Sequence, residues 1–109
     1  MAEEVLVVLT TWPDAATARA AARQLIEERL AACANLVPAI ESIYRWEGKL
    51  ETANEVLMIL KTTIGRYAQL ETRVKALHPY DVPEILGLPV TEGLNAYLRW
   101  AQDACYGRD

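Results

Sequence analysis

The segment HPYDVPE, residues 78–84, gathers four side chains that could take part in chemistry. They are His78, Tyr80, Asp81 and Glu84. Two prolines restrict the backbone of this segment, so its polar groups would be held with little flexibility. Together with Lys61, at the end of an apolar run, these residues are our candidates for the lining of a small-molecule or ion pocket. The alternative is that they bond to backbone groups at a seam between subunits.

His78 is the single histidine of the chain and the candidate metal ligand. One imidazole cannot hold a transition-metal ion unaided. A histidine at the end of a helix also has a structural role, because it can bond to the last helical carbonyls. Cys33 could add a soft ligand, but its apolar neighbours favour an inert thiol. We therefore expect no tightly bound cofactor.

Cys33 and Cys105 lie far apart and form no CxxC motif. A disulfide between them is one interpretation, and two reduced, buried thiols are the other, which suits a cytoplasmic chain better.

Catalytic motifs such as GxSxG, HExxH and a glycine-rich phosphate loop are absent from the sequence. Asp81 and Glu84 could form a carboxylate pair, but at an unknown separation. We expect a binding protein and not an enzyme.

The charge pattern narrows the classes of partner. Eleven Lys and Arg residues against fifteen Asp and Glu residues give a net charge of −4. Positive and negative residues alternate along the chain, and no block of basic residues is present. Nucleic-acid binders carry a basic stripe, so we expect no nucleic-acid partner.

No stretch approaches the roughly 20 apolar residues of a membrane span. The first residues, MAEE, carry acids where a signal peptide would carry positive charge, so we expect a soluble, cytoplasmic protein.

The 109 residues fit one domain, residues 1–109, built from alternating strand and helix patterns. The first half of the chain predicts a strand over 4–11, a helix over 15–31 capped by Asp14, and a strand over 34–46 bent at Pro38. The second half predicts a strand over 49–63, a helix from Gly65 to Pro79, a short edge strand within 82–90, and a C-terminal helix. The apolar run 56–60 suits a strand covered on both faces. The order βαββαβ predicts an α+β, ferredoxin-like antiparallel sheet with an additional C-terminal helix.

The second and third strands predict an unusually long hairpin around the turn Glu47-Gly48. Residues 33–46 would reach roughly 45 Å at about 3.3 Å per residue, whereas a domain of this size is roughly 35 Å across. The tip should therefore project. Tyr44 and Trp46 point to one face, and we assign Glu41 and Glu51 to the solvated opposite face. These rings predict a contact with another copy of the chain; otherwise the hairpin curls over its own sheet.

Three blocks of the sequence resemble the signature blocks of the CutA divalent-cation-tolerance family. They are ERLAACANLVPAIESIYRWEGKLE (28–51), EVLMILKTT (55–63) and ALHPYDVPEILGLPV (76–90). The resemblance implies a ferredoxin-like homotrimer, similar in architecture to PII signalling proteins, whose hairpins wrap around neighbouring subunits. It also implies a link to tolerance of copper and other divalent metals, which makes copper or another divalent cation the candidate ligand.

The resemblance further implies a metal site at three positions, which here are Thr10, Leu77 and His78. Threonine is a poor copper ligand and leucine is none, so the expected metal binding is weak. Two other functions stay open. One is a PII-like trimeric sensor that binds a small ligand between subunits, and the other is a scaffold for the assembly of another protein.

Overall fold

The computed structural model describes residues 3–109. The elements are β1 (Val5–Trp12), α1 (Ala15–Glu27), β2 (Cys33–Trp46), β3 (Lys49–Thr63), α2 (Ile64–Leu77), β4 (Ile85–Pro89) and α3 (Asn95–Cys105). None of the helices in this part of the chain is both long enough and apolar enough to span a membrane.

The four strands form one antiparallel sheet in the order β2-β3-β1-β4. This is the predicted ferredoxin-like arrangement, and β4 lies at the sheet edge as expected. The side chains of β1 and β3 alternate between two faces. On one face Val8, Met58 and Leu60 are fully buried in a core shared with α1 and α2. We call this face the helix face.

The opposite face, here called the open face, is covered only in part. The small residues of α3, Ala101 and Ala104, pack there against Val5. Leu86 and Leu88 of β4 stay 54% and 45% exposed. In β3 the open-face residues Leu57 and Ile59 are half-buried, so within one chain this strand is fully covered on the helix face and only partly covered on the open face.

The first helix begins as predicted and ends earlier. Asp14 accepts a hydrogen bond from the amide of Thr17 at 2.8 Å, which satisfies one of the free donors of the first turn. The helix ends at Glu27 and not near residue 31, because Arg29 adopts a left-handed backbone with φ 58°. The amide of Leu30 then turns back to the carbonyl of Leu25 at 3.0 Å.

The long hairpin forms around the predicted turn. Glu47 and Gly48 both have positive φ, 51° and 78°, as a two-residue type I′ turn requires. The bend expected at Pro38 is a register shift between Val37 and Ile40. Pairing of β3 with β1 stops at Val56, and residues 49–55 of β3 pair with β2 alone. The hairpin therefore projects, and the chain measures 47 × 26 × 22 Å.

The register corrects one assignment at the hairpin tip. Tyr44 pairs directly with Glu51, and residues that face each other across an antiparallel ladder point to the same side. Glu51 therefore shares the face of Tyr44 and does not mark the opposite one. Tyr44 and Trp46 lie on one face as expected and are 44% and 49% exposed.

A carboxylate from the N-terminal segment holds the start of α2. The Oε1 atom of Glu3 accepts hydrogen bonds from the amide of Gly65 and from the hydroxyl of Tyr106. Burial alone would raise the pKa of Glu3, but the hydrogen bonds from Tyr106, Thr63 and Gly65 outweigh it, so the pKa lies below its ordinary value. A negative charge at this position also suits the helix dipole.

Replacing Glu3 with Gln should lower the free energy of unfolding by about 1.5 kcal/mol at neutral pH, the lower end of the contribution of one hydrogen bond to a charged group. Because the folded pKa is depressed, the contribution is present above the unfolded pKa and is lost as pH falls through the folded pKa. Thermal melts should therefore differ at pH 7 and converge in acid. Glu4→Gln is the matched control, and an equal loss in both variants would contradict the cap.

Candidate functional site

A cavity of about 630 Å³ lies where the hairpin passes beyond the end of β1. We call it the hairpin cavity. It is lined by Thr11, Ser42, Ile43, Tyr44, Trp46, Glu55, Tyr80, Asp81, Val82 and Glu84. Its walls come from the hairpin, the end of β1 and the segment after α2.

Glu55 is the buried charge of this cavity. It is the first residue of β3 beyond the last one paired with β1, Val56, so no neighbouring strand covers it on that side. It is nevertheless only 7% exposed. The hydroxyl of Tyr80 donates a hydrogen bond to its Oε2 atom at 2.9 Å. Among the described residues no hydrogen bond reaches Oε1, which leaves one carboxylate oxygen for a ligand.

The phenol of Tyr80 is strongly perturbed by this environment. Burial, followed by the hydrogen bond to Glu55 and the charge of that residue, raises the pKa of Tyr80 to about 12. The phenol therefore stays protonated at neutral pH and remains a donor to the carboxylate. Glu55 and Tyr80 act as one hydrogen-bonded unit in the cavity wall.

His78 fixes the position of Tyr80 and uses both ring nitrogens to do so. Its Nε2 lies 2.7 Å from the carbonyl oxygen of Thr11, and its Nδ1 accepts a hydrogen bond from the amide of Tyr80 at 3.1 Å. The hydrogen must therefore lie on Nε2. The ring also packs on Trp12, with centroids 4.2 Å apart. His78 thus ties the segment after α2 to the end of β1, and not to the helical carbonyls that sequence reasoning offered.

The metal site implied by the resemblance does not fit these residues. Thr10 is fully buried on the helix face. Leu77 packs against the apolar core. The nitrogen lone pair that His78 would offer a metal is already engaged by Tyr80. No group of three or more His, Cys, Asp or Glu residues within 3–109 is arranged to hold a metal ion.

The structure brings most of the candidate pocket residues together. Tyr80, Asp81 and Glu84 line the hairpin cavity, and so do the proposed interface residues Tyr44 and Trp46.

Lys61 does not line the cavity, so the prediction that it belongs to the pocket is wrong. It lies six residues from Glu55 along β3, about 20 Å at the rise of a strand. There its amino group bonds to the side-chain oxygen of Asn35.

Sequence reasoning missed Glu55. The available signal was a carboxylate placed immediately before the buried run 56–60, where charged residues are rarely fully covered unless they have a partner. That partner, Tyr80, lies 25 residues away and belongs to no shared motif.

Both cysteines are free and lie away from the cavity lining. Cys105 is fully buried, and burial raises the pKa of its thiol, as expected for an inert cysteine. Cys33 is only half-buried, contrary to the expectation of two buried thiols, and its Sγ lies 3.8 Å from the side-chain oxygen of Asn35.

The hairpin cavity combines three carboxylates with three aromatic rings. No Lys, Arg or His belongs to its lining in the part of the chain that the structure describes. Such a surface attracts positively charged ligands and repels anions.

Comparison with known proteins gives consistent matches over nearly the whole chain. The family model for the CutA1 divalent ion tolerance protein matches residues 6–104. The divalent-cation tolerance protein CutA of Thermus thermophilus is 52% identical over 97 residues, which are 89% of this chain and 94% of that protein.

Solved structures agree with the sequence matches. The crystal structure of CutA1 from Oryza sativa has a TM-score of 0.92 at 43% identity and covers 94% of each chain. A CutA structure from Archaeoglobus fulgidus, described as a periplasmic divalent cation tolerance protein, has a TM-score of 0.90 at 38% identity. The match covers 93% of this chain and 98% of that one.

Tyr80 should titrate near pH 12, above the ordinary value of 10.0. In Glu55→Gln its pKa should fall only part of the way, because burial is the larger cause. The stability that protonated Tyr80 contributes is present below pH 10 and is lost as the pH rises from 10 to about 12, the raised pKa of the folded protein. Ultraviolet absorbance of tyrosinate, followed against pH, measures the pKa of Tyr80 after the titration curve of the Tyr80→Phe variant has been subtracted. Glu92→Gln, an exposed site outside the cavity, should change nothing, and an ordinary pKa for Tyr80 in the native protein would contradict the assignment.

Proposed function

Because the chain belongs to the CutA1 divalent ion tolerance family, we propose that it contributes to divalent-cation tolerance as a homotrimer that binds metal ions weakly. The observation that carries the metal part is the hairpin cavity, whose carboxylates Glu55, Asp81 and Glu84 face no basic lining residue. Carboxylate oxygens suit hard divalent cations. Copper, a softer ion that prefers nitrogen and sulfur, would find a poor site here.

Weak binding follows from how few ligands come together. A divalent ion needs several oxygens at about 2.0–2.6 Å, held in one shell. The described residues offer no converging group of three strong ligands. Each ion would keep most of its water, so selectivity among divalent cations should be low.

The trimeric state is supported by exposed apolar surface on two connected parts of the chain. Tyr44 and Trp46 are half-exposed on the projecting hairpin, and Leu86 and Leu88 are half-exposed on the open face. An isolated chain would present these side chains to water, which favours association. A neighbouring copy that covers the open face would also supply the missing cover for β3.

The proposal describes a cytoplasmic binding protein and not an enzyme. The two free thiols, one of them only half-buried, suit a reducing compartment. Recovery of the protein from a periplasmic fraction would contradict this location.

A PII-like sensor is the second candidate function, and one observation favours it. The hairpin cavity shares Tyr44 and Trp46 with the proposed interface, as expected for a ligand site between subunits.

Light scattering after size exclusion should give about three times the chain mass of 12.2 kDa. Trp46→Ala should weaken assembly by about 2 kcal/mol, the usual effect of truncating an aromatic anchor. Leu88→Glu should disrupt it more severely, because it places a charge on the open face. Leu50→Ala, which truncates a 71% exposed residue of the same hairpin, is the control. A monomer at micromolar concentration would rule out the trimer.

Calorimetric titration with Mn²⁺ should give a dissociation constant of about 0.1–1 mM, the range of the weakest calcium-binding modules. Glu55→Gln should weaken binding severalfold because it removes the buried charge, whereas Glu92→Gln should leave it unchanged. Cu²⁺ should bind more tightly than Mn²⁺, as the order of first-row divalent ions requires, but still weakly, because nitrogen and sulfur ligands are missing from the cavity lining. A nanomolar copper site that depends on His78 would show that the ring gives up its bond to Tyr80 and that our view of this residue is wrong.

A further inference from the structure

We propose that the hairpin cavity is a binding site for a small aliphatic amine, a ligand with protonated amino groups on a short alkyl chain. The inference deepens the proposed function by naming a ligand class for the same cavity, and it rests on that cavity staying accessible in the assembled protein. Its volume of about 630 Å³ lies within the usual range of small-molecule sites.

The first observation is the state of Glu55. The residue is more than nine-tenths buried, yet Tyr80 supplies the single hydrogen bond to its carboxylate among the described residues. The Oε1 atom accepts no hydrogen bond from the described chain and is not among its fully enclosed, unpaired polar atoms, so a ligand in the cavity can reach it. An ammonium group supplies both the donor and the opposite charge, in a hydrogen bond of the stronger, charge-assisted kind.

The second observation is the aromatic wall around this carboxylate. Tyr44, Trp46 and Tyr80 line the cavity and are 37–49% exposed. Ring faces attract ammonium groups and also pack against methylene groups. An alkyl chain with a charged end matches both properties, whereas a bare metal ion uses neither.

The surrounding charges indicate more than one amino group. Asp81 and Glu84 are exposed carboxylates at the rim of the cavity and form no ion pair in the described chain. Lys75 contacts the segment, with its Nζ 3.5 Å from the backbone carbonyl of Asp81, and is not part of the lining. A diamine could place one end on Glu55 and the other at the rim.

The geometry also explains why an amine should bind better than a metal. A metal ion requires several oxygens around one point, which this cavity does not provide. An ammonium group needs one good acceptor and tolerates rings on its remaining sides. The scattered carboxylates are a defect for a metal site and an advantage for an extended cation.

Calorimetry of the assembled protein at low salt provides the test, with diaminobutane as the probe and butanediol as its neutral equivalent. We expect diaminobutane to bind more tightly than Mn²⁺ and butanediol not to bind. Glu55→Gln keeps an acceptor for Tyr80 but loses the charge, so it should weaken binding about tenfold or more. Glu92→Gln, with the same change of charge outside the cavity, should bind like the native protein.

Equal binding of diaminobutane and butanediol, or equal affinity of the Glu55→Gln and Glu92→Gln variants, would overturn the inference. Should Glu55→Gln fail to fold, Glu84→Gln changes an exposed rim residue, and an unchanged affinity in that variant would also overturn it. Mn²⁺ binding without amine binding refutes the amine site alone. Amine binding without Mn²⁺ binding refutes the metal part of the proposed function alone, and light scattering of each sample reports the assembly separately.

Discussion

The unequal lengths of two neighbouring strands determine most of what is distinctive in this molecule. β3 has 15 residues and β1 has 8, so β3 extends beyond its partner and continues with β2 alone. The extension produces the projecting hairpin. It also leaves a step at the end of β1, where the segment after α2 is held by the contact of His78 with the carbonyl of Thr11. The hairpin cavity is the space bounded by that step.

Local chemistry accounts for the parts of the fold that the sequence predicts well. The Asp14 cap, the Glu47-Gly48 turn and the break at Pro79 depend on single residues and their immediate neighbours, and each element begins or ends close to the expected residue. The end of α1 was misplaced because leucine at position 30 continues the apolar pattern, while the left-handed backbone of Arg29 has no signature in its residue type. Backbone reversal without glycine is difficult to detect from sequence.

The candidate site was predictable in part, and the errors have a common origin. Tyr80, Asp81 and Glu84 are close in sequence and lie in one cavity. Lys61 and Glu51 were misassigned because their positions depend on strand register and length, which sequence periodicity does not specify. Glu55 was missed for the same reason, since its importance comes from a partner in a distant segment. Contacts between segments therefore limited the prediction more than residue types did.

The proposals of assembly and of cation binding meet at Glu55. A neighbouring copy packed against the open face would remove water from around the hairpin cavity, and an incompletely paired carboxylate becomes more costly as its surroundings lose water. A cation that completes the shell of Glu55 would then bind the assembled form more tightly than the separate chain. By mass action such a ligand also favours assembly, since whatever binds one state preferentially stabilises that state. The rings of Tyr44 and Trp46, shared by the cavity and the exposed hairpin, give this coupling a physical route.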